Sequence, residues 1–117
     1  GLGYFAGRES SDESGIKIRE TIALSSDSGA SGVVDLGFKG KDGNWPMIIK
    51  VRGLAPLSGG DYYRLALTKR GKPIVTCGTF NVSGNQTTVR MTAAYDLKRF
   101  DGWVVVEEGS DTPLLTT

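Results

Sequence analysis

From Ile16 onward, apolar residues return at every second position, a period that specifies half-buried antiparallel β-strands. Ile16, Ile18, Ile22 and Leu24 share one parity, with Glu20 the one charged residue among them. Val34, Leu36 and Phe38 repeat the pattern, as do Met47, Ile49 and Val51, and then Tyr63, Leu65 and Leu67. Weaker alternation marks Pro73 to Val82, Gln86 to Thr92 and Gly102 to Glu108. Turn residues separate these runs, at Asp27-Ser28-Gly29, Gly40 to Asn44, Ser58 to Asp61, Lys69 to Lys72 and Ser83-Gly84-Asn85. No dozen-residue window has a helical apolar face, although Ala93 to Phe100 has room for one turn. The expected fold is all-β: an antiparallel, immunoglobulin-like β-sandwich of about seven strands, with a barrel as the alternative.

What the chain lacks removes whole classes of chemistry. It contains no histidine and a single cysteine, Cys77, which excludes His-dependent triads, most zinc sites and a disulfide framework. Cys77 lies in the run Ile74 to Gly78 with no adjacent basic residue, so a buried, inert thiol is expected. Fourteen Lys and Arg against 13 Asp and Glu leave a net charge of +1, which selects neither nucleic acid nor an acidic ligand. No apolar run approaches the roughly 18 residues of a membrane span. No cofactor is called for, and no catalytic or metal-binding set can be assembled.

The remaining polar clusters have local explanations. Asp12-Glu13 falls in a linker, and Glu107 and Glu108, adjacent on a strand, point to opposite faces and cannot share a site. Ser25 to Ser28 reads as a turn, and Gly37 to Gly43 leads into no helix that would make it a phosphate loop. Asp42-Gly43-Asn44 lacks the acidic series of a calcium loop. Arg64, Lys69, Arg70 and Lys72 gather around one hairpin, where charge protects an edge. Trp103 opens an apolar strand and is expected in the core. Trp45, next to Pro46 and a Gly-rich turn, either caps the sandwich or contributes to a contact surface.

The first fifteen residues have another character. Gly1 to Gly7 is small and apolar, and Arg8 to Gly15 is charged and Ser-rich, with linker composition. The expected division is an apolar stub and flexible linker over 1–15, followed by the β-domain over 16–117.

One ordered set of residues is more specific than the period. Gly53-Leu54 and Pro56-Leu57 end a valine-bearing strand; Tyr63, Leu65 and Leu67 follow; then come Gly71, Pro73 and Gly78-Thr79-Phe80, and finally Val104 to Glu107. In that order the chain resembles the extracytoplasmic C-terminal domain of membrane-anchored anti-sigma factors of the anti-sigma-K type, over about Ile16 to Leu115. Ala66 stands where that family usually has tryptophan. The resemblance implies a non-enzymatic sensor or regulatory domain on the outer face of a bacterial membrane, whose state gates proteolytic release of a sigma factor and hence transcription. It implies that Gly1 to Gly7 is the outer end of a transmembrane helix and Arg8 to Gly15 an exposed stalk. The partners would be a membrane protease and, through a cytoplasmic domain outside these residues, the sigma factor; this segment itself would bind neither sigma factor nor nucleic acid. A secreted immunoglobulin-like adhesion or carbohydrate-binding module is the alternative.

Overall fold

The computed structural model describes residues 16–117; the stub and linker expected over 1–15 lie outside the described residues. Among the described residues, eight strands form a single antiparallel sheet. They are β1 (Ile18–Ser25), β2 (Ser31–Gly37), β3 (Trp45–Arg52), β4 (Tyr63–Lys69), β5 (Lys72–Phe80), β6 (Gln86–Ala93), β7 (Gly102–Glu107) and β8 (Leu115–Thr116). Across the sheet their order is β5-β4-β7-β8-β1-β2-β3-β6. The sheet curls until its edge strands β5 and β6 approach one another, so the barrel describes it better than two separate layers. Gly78 of β5 lies at that approach, where the Met91 side chain of β6 fills the space a Cβ would take, its Sδ 2.5 Å from that position.

Alternation places one face of every long strand inside. Leu24, Val34, Leu36, Met47, Ile49, Val51, Tyr63, Leu65, Leu67, Trp103 and Val105 form the core, joined by Leu115 of β8. Burial of these side chains is the main stabilising term, at about 1.5–3 kcal/mol for each large one. Ala66, Val104 and Val106 form a second buried cluster on the opposite face of β4 and β7. Phe38 departs from expectation: β2 ends at Gly37, and the Phe38 ring is exposed beyond the ladder.

The sequence expectation of about seven strands misses β8, because two residues carry no period. Those two residues join the halves of the sheet. Val104 and Val105 of β7 pair with Thr116 and Leu115, while Thr116 also pairs with Ser25 of β1. Leu114 N–H donates to the Val105 carbonyl and Thr117 N–H to the Trp103 carbonyl, lengthening the attachment to β7 alone. The turn expected within Ala93 to Phe100 is a 3₁₀ turn over Leu97–Arg99, capped by Asp96, whose carboxylate accepts from Lys98 N–H at 3.2 Å.

Several residues of the ordered set that begins at Gly53 shape the fold. Gly53 has φ +82°, and a Cβ there would meet the Ala30 Cα at 2.9 Å, so only glycine fits where the chain leaves β3. Leu54 packs partly buried against the core, whereas Pro56 is exposed. Tyr63 is buried, stacks obliquely on Phe80 with centroids 5.7 Å apart, and donates its hydroxyl to the Ala55 carbonyl. Burial, and then the negative charge of Glu107, push the Tyr63 phenol above its ordinary value. Asn81 completes the anchoring of that loop, donating to the carbonyls of Leu57 and Asp61 and accepting from Leu57 N–H. Arg70 and Gly71, with φ of 56° and 78°, form the two-residue turn between β4 and β5. Pro73 is on edge strand β5, where a missing N–H costs least, and Thr79 is exposed on the same strand.

Asp101 ties that hairpin to β7. Its carboxylate accepts from Arg70 N–H at 2.6 Å and from the Thr68 hydroxyl at 2.8 Å. These bonds, the Arg70 backbone foremost and then Thr68, hold its pKa below the ordinary 3.8. A carboxyl with a depressed native pKa stabilises the fold above its unfolded value and loses that contribution as pH falls through the native one. Acid titration of stability should therefore steepen below about pH 4. Asp101→Asn should flatten that limb, measured as urea midpoint against pH.

Candidate functional site

An open cleft of about 850 Å³ lies at one end of the barrel. Its apolar walls are Ile22, Leu36, Trp45, Leu97 and Trp103, with Tyr95 at the rim. Arg19, Glu20, Lys39, Asp96 and Lys98 supply charge around them. The volume is in the range of small-ligand sites.

A β-bulge builds the charged wall. Ile18 pairs with Gly37 and Glu20 with Leu36, so Arg19 is an extra residue in β1. At a regular strand position Arg19 and Glu20 would point to opposite faces; the bulge turns both into the cleft. Their side chains pair at 3.5 Å, and the Arg19 guanidinium lies 5.7 Å from the Trp45 ring centroid. Glu20, opposite the buried Leu36, keeps the parity of Ile22 and Leu24 and is exposed at the mouth of the cleft. Beyond the bulge Ile22 faces inward opposite Val34, while Ile18, opposite Gly37, falls on the other face.

Trp45 is half-buried and lines the cleft. Trp103 is 9% exposed, a core residue that also forms the cleft floor. Asp96 is engaged as a cap. Lys39 and Lys98 form no ion pair among the described residues. None of Gly53, Leu54, Pro56, Tyr63, Leu65, Gly71, Pro73, Gly78, Thr79 and Phe80 lines this cleft. Leu67 borders an adjoining cavity of about 200 Å³ that shares Glu20, Ile22, Leu97 and Trp103 with it.

The other polar features serve structure. Arg64 does not join Lys69, Arg70 and Lys72. Its guanidinium donates to the Thr76 hydroxyl at 2.9 Å and lies 3.1 Å from Glu108 and 3.8 Å from Asp111. That network holds the β7–β8 hairpin against β4 and β5. Among the described residues no three His, Cys, Asp or Glu side chains gather to hold a metal ion, and no helix is long and apolar enough to cross a membrane.

Cys77 packs against the core, and burial pushes its thiol up to about 12 from 9.0. At pH 8 this leaves about a thousandfold less thiolate than in the unfolded chain. Iodoacetamide should therefore modify Cys77 at least a hundredfold more slowly in the native protein than in urea, followed by mass spectrometry.

The site has no counterpart to lend it a function: no protein-family model, curated protein or solved structure matches the chain.

Proposed function

We propose that this domain is the extracytoplasmic sensing and regulatory part of a membrane-anchored anti-sigma factor of the anti-sigma-K type. In that role it performs no catalysis and binds no nucleic acid. It gates cleavage of the full-length protein by a membrane protease, and the sigma factor leaves a cytoplasmic domain outside these residues. The observation that supports the reading is that the resembling residues frame the fold as an ordered set. Gly53 releases the chain from β3, Tyr63 anchors the following loop, Gly71 completes the β4–β5 turn, and Gly78 lies where the barrel edges approach. The test uses the full-length gene. Alkaline phosphatase fused after Thr117 should be active outside the cell, and deleting residues 16–117 while keeping the anchor should change sigma-dependent reporter transcription at least several-fold. An inactive fusion, or a reporter indifferent to the deletion, overturns the proposal.

The aromatic cleft favours a second reading, a secreted carbohydrate-binding module. Trp45, Tyr95 and Trp103 offer flat apolar surfaces to sugar rings, with charged groups at the rim. A thermal-shift series with glycans and cell-wall fragments separates the two. Stabilisation by a glycan, together with loss of the effect in Trp45→Ala, supports this module.

A further inference from the structure

The seam between β1 and β7 is closed at one end only. On the side away from β2, β1 pairs at Ser25 alone, through Thr116. From Arg19 to Leu24 that edge has no ladder partner among the described residues. Every second residue there presents its backbone N–H and C=O to the seam, and unpaired edge groups of this kind are templates for another strand.

The register fixes where such a strand would lie. Because Ser25 faces Thr116 in an antiparallel pair, the next position, Thr117, falls beside Leu24. A strand prolonging that line would place successive residues beside Ala23, Ile22, Thr21, Glu20 and Arg19. Directly opposed residues share a face. The residue beside Ile22 would therefore enter the smaller cavity, against Leu97, Phe100 and Trp103. Two positions later, the residue beside Glu20 would meet a carboxylate that is 55% exposed and whose ion pair with Arg19 spans 3.5 Å. That cavity is bordered by two carboxylates, Glu20 and Asp101, and by no lysine or arginine. On the opposite bank the Thr117 side chain covers Gly102, its Oγ1 lying 2.7 Å from where a Cβ would be, so an entering strand would begin beyond Thr117.

We propose that this seam accepts an extended peptide segment from a partner protein, antiparallel to β1, apolar where it faces Ile22 and basic two residues later where it faces Glu20. Main-chain bonds to β1 supply affinity, and the two side chains supply selectivity. The inference rests on the seam alone and holds whether or not the domain belongs to an anti-sigma factor.

The probe is a blocked pentapeptide, Val-Thr-Lys-Thr-Ser, which begins beside Ile22 and so clears Thr117, added at millimolar concentration to the 117-residue chain. Amide exchange is followed by NMR. Alternate amides between residues 19 and 22 should exchange at least about tenfold more slowly, and the Trp103 indole resonance should shift. A peptide with glutamate in place of the lysine should give less than a third of that protection. Glu20→Lys, at an exposed position that leaves the core intact, should reverse the preference between the two peptides. Unprotected β1 amides, or protection indifferent both to the lysine–glutamate exchange and to Glu20→Lys, would overturn the proposal. So would resonance changes confined to the Trp45 end of the cleft.

Discussion

Deleting Leu114 to Thr117 is expected to abolish cooperative unfolding of this domain. Leu115 is 0% exposed and lies in the main core, and among the described residues Thr116 alone pairs with both β7 and β1. Truncating a buried leucine to alanine costs about 2–5 kcal/mol. The deletion adds loss of the Leu114–Val105 and Thr117–Trp103 backbone bonds and exposes both strand edges along the seam. A domain of this size has about 5–15 kcal/mol to lose, so the combined effect takes most or all of it. Leu115→Ala isolates the apolar part: its melting temperature should fall by roughly 10–20 °C with the transition still cooperative. Circular dichroism melts of the two variants test the order. A deletion that melts within a few degrees of the full chain would mean that β8 is an accessory strand.

Gly53→Val should be the most damaging single substitution outside the core. Two costs add there. The left-handed φ of +82° costs a residue with a Cβ about 1–2 kcal/mol, more when it is β-branched. The added carbon also meets backbone, the Ala30 Cα at 2.9 Å, which no rotamer change relieves. A total of about 3–4 kcal/mol is expected, read from urea midpoints. Gly78→Ala is the informative contrast. Its new Cβ meets the flexible Met91 side chain on the opposite edge strand, which can swing away, so about 1 kcal/mol is expected.

Most of this architecture was legible because the main core is built from one parity of each strand. Val34 and Leu36, Met47, Ile49 and Val51, and Tyr63, Leu65 and Leu67 are buried where their parity requires, while Ile48, Ala66, Val104 and Val106 are buried on the other face as well. The period fails where geometry departs from a regular strand. The extra residue Arg19 transfers Ile18 to the other face, and the end of β2 at Gly37 leaves Phe38 outside. β8 escaped because two residues cannot display a period, and their place is set by core space and edge bonds from distant strands. The cleft was hidden for a related reason. Trp45 was identifiable as unusual, but its neighbours come from β1, β2, the β2–β3 loop, the 3₁₀ turn and β7. Proximity among those segments is a property of sheet closure.

The bridge from Ser25 to Thr116 joins the first and last of the described strands, so the sheet closes only once its final strand has been made. When a ribosome has made everything through Glu107, seven of the eight described strands and most of the core are present, yet the sheet cannot close. Leu115 must emerge before β1 and β7 have anything to share. Until then the nascent domain presents two open edges and an unfilled apolar slot, features that chaperones and proteases recognise. Prematurely terminated chains should thus be cleared even though they contain nearly all the residues of the finished barrel.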